Sequence, residues 1–127
     1  MVVVDASVVV AFLLEPASVR DALRAHGDDL QAPAHLDVEV LSALRRLATT
    51  GVLPVERARA AVDDLGDLPV TRYDVTPLLD RVWALRDVGS AYDAAYLALA
   101  EALAVPLLTR DRRLGRAPAH RARIEVI

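Results

Sequence analysis

Apolar residues fall along this chain in two alternating patterns. Val2–Val4, Leu30–Ala32, Pro69–Tyr73, Leu107–Thr109 and Ile124–Ile127 are short segments with the character of strands. The first is unbroken rather than alternating, as in a strand covered on both faces of a parallel sheet. Between them run segments with helical spacing. Ser7–Leu14 is closed by Glu15-Pro16, and Ala17–His26 has Ser18 as candidate cap and Gly27 as stop. His35–Thr50 places Leu36, Val40, Ala43, Leu44 and Leu47 on one stripe and ends at Gly51, while Val55–Leu65 ends at Gly66. Thr76–Asp87 carries Pro77 in its first turn, and Ser90–Ala104 is apolar nearly all round. Strands alternating with helices predict an α/β fold with a short parallel sheet covered by helices on both faces. No repeat, linker or low-complexity stretch interrupts residues 1–127, which read as a single domain.

Four carboxylates interrupt this pattern. Asp5 ends the first strand and Asp111 follows Leu107–Thr109, where open parallel sheets place their ligand sites. Asp5 serves equally as an N-cap for the helix after it, and Asp111 as a cap for the turn Arg112–Leu114. Glu39 flanks the apolar stripe of its helix, one turn from Leu36 and Ala43. Its bland role is a surface ion pair with Arg46. Asp37 points about 200° away from Glu39 around the helix and reads as solvated. Asp93 stands in the first turn of a helix that is otherwise buried, so it needs a partner. Ser90-Ala91-Tyr92-Asp93 also has the outline of a capping box. Taken together, acids without basic partners at one sheet edge cost energy unless a cation neutralises them. That points to a divalent metal and phosphate chemistry.

Composition narrows the field. With 54% hydrophobic and 4% aromatic residues, the core is aliphatic. Cysteine is absent, which removes disulfides, thiolate metal sites and cysteine nucleophiles. All 15 basic residues are Arg, so lysine-dependent mechanisms are removed too. Net charge is −3, unevenly spread: residues 110–127 carry six Arg against Asp111 and Glu125, and the remainder is acidic. That basic tail suits a polyanion or plain solvation. The amino-terminal run lacks a basic flank and meets Asp5 at once, unlike a signal peptide, and no run is long enough to span a membrane. The expectation is a cytoplasmic protein with no membrane partner.

Four segments carry a likeness. Val2-Val3-Val4-Asp5-Ala6-Ser7-Val8 comes first, then Pro33 with Glu39 and Ala43-Leu44-Arg45-Arg46. Tyr92-Asp93-Ala94-Ala95-Tyr96-Leu97-Ala98-Leu99-Ala100 and Leu107-Leu108-Thr109-Arg110-Asp111 follow in order. The chain resembles the PIN-domain ribonucleases, in particular the VapC-type toxins of prokaryotic toxin–antitoxin pairs. The resemblance implies a three-layer α/β/α fold and an endoribonuclease that hydrolyses RNA phosphodiesters with a metal-activated water. It implies that Asp5, Glu39, Asp93 and Asp111 bind one or two Mg²⁺ ions, with Mn²⁺ as substitute, and that Ser7 and Thr109 are accessory hydrogen-bonders. It further implies a cognate antitoxin partner, with helices His35–Thr50 and Val55–Leu65 as candidate clamp, and a homodimer. Arg45, Arg46, Arg110, Arg112 and Arg113 are candidate contacts to RNA phosphates.

Other chemistries fit less well. His26, His35 and His120 lack metal-ligand spacing, no glycine-rich phosphate loop exists, and neither Ser7 nor Ser42 has an evident His partner. An aspartate-based phosphotransfer enzyme would use Asp5 at the strand end, but such enzymes normally need a Lys. A catalytically silent binding module on the same fold is the third reading, opposed by the presence of all four acids.

Overall fold

Val2, Val3 and Val4 are completely buried, which puts β1 (Val2–Val4) in the middle of the sheet with helices on both faces. The structure is a computed structural model and describes residues 1–127. β2 (Leu30–Pro33), β3 (Val70–Tyr73), β4 (Leu107–Thr109) and β5 (Ile124–Val126) complete a parallel five-stranded sheet in the order β3-β2-β1-β4-β5. The predicted α/β class is what the chain adopts.

The strand order sets the layers. From β1 the chain steps outward to β2 and β3, then crosses back to β4 and β5 on the other side. Right-handed crossovers put the helices of these two halves on opposite faces. α1 (Ala6–Leu14), α3 (Leu36–Thr49) and α4 (Val55–Asp67) pack on one another, with the short α2 (Arg20–Ala25) beyond them. α6 (Ala91–Leu103) lies across β1, β2 and β4 and carries α5 (Leu79–Ala84) on its outer side. Ala94 through Ala100 are all buried, as the apolar run predicts. The reversal of winding falls between β1 and β4, so a crevice opens at their carboxyl ends.

The helix boundaries depart from expectation in three places. Ser18 does not cap a helix; its hydroxyl donates to the Glu15 carbonyl within a 3₁₀ turn, and α2 starts later, at Arg20. Gly66 does not stop α4, which runs on to Asp67, because Gly66 keeps a negative φ and the left-handed stop is not used. Thr76–Asp87 is not one helix but a 3₁₀ turn, α5 and a second 3₁₀ turn at Arg86–Val88. At its start the Asp74 carboxylate takes the Thr76 N–H and hydroxyl, both at 2.9 Å. At its end the Leu85 N–H is shared between the Arg81 and Val82 carbonyls, which tightens the turn.

Asp37, expected to be solvated, accepts two hydrogen bonds from the Arg72 guanidinium, at 2.7 and 2.9 Å. Arg72 is on the edge strand β3, so this pair ties the start of α3 to the sheet edge.

Glu101 performs a similar task on the opposite face. Its carboxylate accepts from Arg81 Nε at 2.7 Å and Nη2 at 3.0 Å, and from the Arg121 N–H at 2.7 Å. It therefore joins α6 to α5 and to the basic tail. The Arg81 hydrogen bonds hold the Glu101 carboxyl below its ordinary value of 4.5. A lowered acid contributes stability above its unfolded pKa and loses it as pH falls through the folded value. Glu101→Gln is expected to lower the melting temperature at pH 7 by about 3–6 °C, roughly 1 kcal/mol for a partly buried network. The gap to wild type should close as the pH is taken below 4.5, which thermal melts across pH 3–7 would follow.

Candidate active site

The register of β1 against β4 builds the centre of the site. Val3 pairs with Leu107 and Val4 with Leu108, so the next step brings Asp5 beside Thr109. The Asp5 N–H continues the ladder to the Leu108 carbonyl at 3.3 Å. Beyond that point the chain turns into α1, and Asp5 becomes its N-cap, accepting from the Val8 N–H at 3.2 Å.

Asp5 is only 7% exposed and forms no ion pair. Its Oδ1 also accepts from the Ser7 hydroxyl at 2.5 Å, and its Oδ2 accepts a short hydrogen bond from the buried Thr109 hydroxyl. Each hydroxyl passes the link onward. Ser7 Oγ accepts from the Arg110 N–H and Thr109 Oγ1 from the Asp111 N–H, both at 2.9 Å. Burial pushes the Asp5 carboxyl above its ordinary value, and the Ser7 and Thr109 hydrogen bonds offset part of that rise.

Glu39 comes from the first turn of α3. Its near neighbour is His35, not Arg46. His35 Nε2 stands 2.9 Å from Glu39 Oε1, but the approach is misaligned for a hydrogen bond, and neither buried atom has another partner. Arg46 instead lines a hollow of about 400 Å³ together with Glu39, Ser7 and Ala43.

Asp93 completes the capping box that the sequence outlines. Its N–H donates to Ser90 Oγ at 3.1 Å, and its Oδ2 accepts from the Ser90 N–H at 3.4 Å. Gly89, at φ +146°, leaves the room for this: a Cβ there would stand 3.0 Å from Asp93 Oδ2. Like Asp5, Asp93 has no cationic partner within ion-pair distance. Asp111 does have one. Its carboxylate accepts from the Arg113 N–H at 2.9 Å and from the Arg113 guanidinium at 3.0 Å, which holds it below the usual carboxylate range.

Two side chains register how these acids are grouped. The Tyr96 hydroxyl is held far above its usual value by burial first, then by Glu39, with Asp5 and Asp93 adding to the effect. Arg113 feels Asp111 first and Asp93 as well. The charges of Glu39, Asp5 and Asp93 thus all reach the Tyr96 hydroxyl, and that of Asp93 reaches Arg113. No three of these groups close into a cage that could hold an ion by itself.

Residues 2–119 match the PIN domain. The chain belongs to the PIN-domain family. A relative in Mycobacterium tuberculosis, ribonuclease VapC12, is 39% identical over 128 residues, covering 100% of this chain and 99% of the relative. Ribonuclease VapC3 of the same organism is 44% identical over 118 residues, covering 91% of this chain and 86% of its own. Solved structures share the fold at lower identity. PAE2754 from Pyrobaculum aerophilum has a TM-score of 0.69 at 24% identity, covering 98% of this chain and 83% of that one. VapBC2 from Rickettsia felis, bound to a DNA fragment of its promoter, has a TM-score of 0.66 at 13% identity, covering 99% and 98%. Among PIN domains this chain thus falls with the VapC proteins.

The arginines divide by position. Arg46 lines the hollow beside Glu39, and Arg110 follows Thr109 with its N–H on Ser7. Arg113 is engaged by Asp111, and Arg112 is exposed beside it. Arg45 lies away from the acids, on the groove between α3 and α4. Sequence reasoning passed over His35 and Tyr96. Their signal was helical spacing: His35 stands four residues before Glu39, and Tyr96 three after Asp93.

Thr109→Val keeps the shape but leaves Asp5 Oδ2 and the Asp111 N–H without their partner. The expected cost is about 1–3 kcal/mol, read as a lower urea midpoint with an unchanged slope.

Proposed function

We propose that this PIN domain is a metal-dependent endoribonuclease and the toxin of a toxin–antitoxin pair. The observation that carries the reading is Asp5: a buried carboxylate without a cation, at the crevice between β1 and β4, with both oxygens fixed by Ser7 and Thr109. The naming of VapC12 and VapC3 as ribonucleases supports it.

The donor set suits a hard divalent cation. Asp5, Glu39, Asp93 and Asp111 offer only oxygen, and Glu39 Oε1 is buried without an aligned hydrogen bond. The lack of a closed cage is compatible with Mg²⁺ or Mn²⁺, since Mg²⁺ is commonly held by one or two carboxylates and keeps several waters. These four residues would hold it. When bound, such an ion lowers the pKa of a water and polarises the scissile phosphate.

The chain's own groups supply the rest. Ser7 and Thr109 fix both oxygens of Asp5, so its orientation is set before substrate arrives. Arg46, Arg110 and Arg112 offer positive charge near the acids, suited to the flanking phosphates of an RNA strand. With no Lys in the chain and both oxygens of Asp5 engaged, phosphotransfer through Asp5 gains no support.

The antitoxin reading draws on a second surface. α3 and α4 leave a groove of about 570 Å³ lined by Val38, Leu41, Val55 and Val62, with Arg45 and Arg59 at its sides. Val38 and Val55 are more than 60% exposed, at 69% and 66%. Such an apolar groove between helices suits an amphipathic helix of a partner. VapBC2 of Rickettsia felis, a structure that shares this fold, supports an antitoxin partner.

Purified protein is expected to cleave single-stranded or loop RNA with Mg²⁺ or Mn²⁺ and to stop when EDTA is added. Asp5→Asn and Asp93→Asn should each reduce cleavage by about 100-fold or more while remaining folded. Cleavage at wild-type rates by both variants, or in EDTA, would count against the proposal.

A further inference from the structure

Tyr92 stands in the first turn of α6, one residue before Asp93, and is 58% exposed. The chain has only three Tyr, one Trp and one Phe, so an aromatic left in water beside the acids stands out. The ring is held in place. It meets the His35 ring in a T-shaped contact, with centroids 5.5 Å apart and planes at 61°. His35 meets the buried Tyr96 ring in the same manner, at 5.0 Å and 71°. His35 Nε2 stands 2.9 Å from Glu39 Oε1. Tyr92 is therefore one ring away from Glu39 and one residue away from Asp93. Packing on His35 explains why the ring keeps its place, not why it is set out in water. A single T-shaped neighbour covers at most one face of a ring, which leaves the other for a ligand.

The surroundings say which ligand fits. Arg46 lines the hollow shared with Glu39 and Ser7, and the Arg110 N–H donates to Ser7 Oγ at 2.9 Å, so positive charge flanks the same edge. A strand of unpaired RNA offers phosphates to such arginines and a flat base to such a ring within one nucleotide. We propose that Tyr92 is a specificity-determining residue whose ring stacks on an unpaired RNA base beside the phosphate bound at the acidic edge. A ring already fixed by His35 loses little freedom on stacking. Bases inside a duplex have both faces covered, so the contact selects single strands and loops. This inference rests on the ribonuclease reading above and names how that site chooses unpaired RNA.

The test measures binding of short fluorescein-labelled oligoadenylate and oligouridylate by anisotropy, at low salt in EDTA. Tyr92→Phe keeps the aromatic face, and Tyr92→Leu keeps apolar bulk without it. Adenine has the larger face, so wild type should bind oligoadenylate more tightly than oligouridylate. Tyr92→Leu should weaken oligoadenylate binding about 10-fold and erase the preference, while Tyr92→Phe retains both. Melting temperatures of both variants should stay close to wild type, as the residue is exposed. An abasic oligoribonucleotide makes the comparison without any substitution: wild type should bind it about 10-fold more weakly than oligoadenylate. Unchanged RNA binding by Tyr92→Leu, or equal binding of abasic RNA, overturns stacking and leaves the ring to a protein partner. A loss in Tyr92→Phe as large as in Tyr92→Leu points to the hydroxyl and overturns stacking too. If wild type binds none of these RNAs the inference falls, and cleavage of RNA with Mn²⁺ decides whether the ribonuclease reading falls with it.

Discussion

A single carboxylate at the end of the central strand organises the acidic edge of this protein. Asp5 is buried where β1 meets β4, and burying its charge is unfavourable. The chain offsets that cost with donors from both ends of the sequence: Ser7 and Val8 on α1, and Thr109 on β4. Those same hydroxyls accept the Arg110 and Asp111 N–H groups, so the loop after β4 is shaped by the loop after β1. Asp5 cannot move without loosening the turn that carries Asp111. Fold and site therefore share the same hydrogen bonds.

The sheet explains why the acids come from distant segments. A winding reversal between β1 and β4 leaves the only crevice flanked by two central strands, and helices on both faces begin at the carboxyl edge. α3 contributes Glu39 from its first turn and α6 contributes Asp93 from its own. Helix N-termini favour negative charge, so acids in these first turns are tolerated even before any cation is considered. The bland roles and the proposed one do not compete here. Asp5 is both a cap and a candidate ligand; Asp93 is both half of a capping box and a candidate ligand.

That dual use determined what could be read from the residues alone. Strand ends and caps are local, so Asp5, Asp93 and Asp111 stood out, as did the unbroken Val2–Val4 strand and the apolar α6. Partners supplied across the fold did not. Arg72 reaches Asp37 from an edge strand 35 residues away, and Arg81 reaches Glu101 from another helix. Tyr96 looked like one more buried residue of an apolar helix, and His35 like a lone histidine. Only the packing of the fold places the His35 imidazole beside Glu39 and against the Tyr96 ring. The break at α5 was equally hidden, because it depends on how one Leu85 N–H is shared between carbonyls.

Asp111 differs from the other acids in a way that bears on how the edge would respond to charge. Its partner, Arg113, is 88% exposed in its side chain, and such surface pairs are weak and readily exchanged for water. A phosphate or a cation arriving at the edge could take either member without disturbing the core. Asp5 lies at the other extreme, buried and held through both oxygens. The site thus grades from a rigid interior acid to an exchangeable outer one. Arg113 feels Asp93 as well as Asp111, so releasing it from Asp111 does not free it from the acid edge. Its exposed guanidinium therefore stays beside the acidic edge in either case.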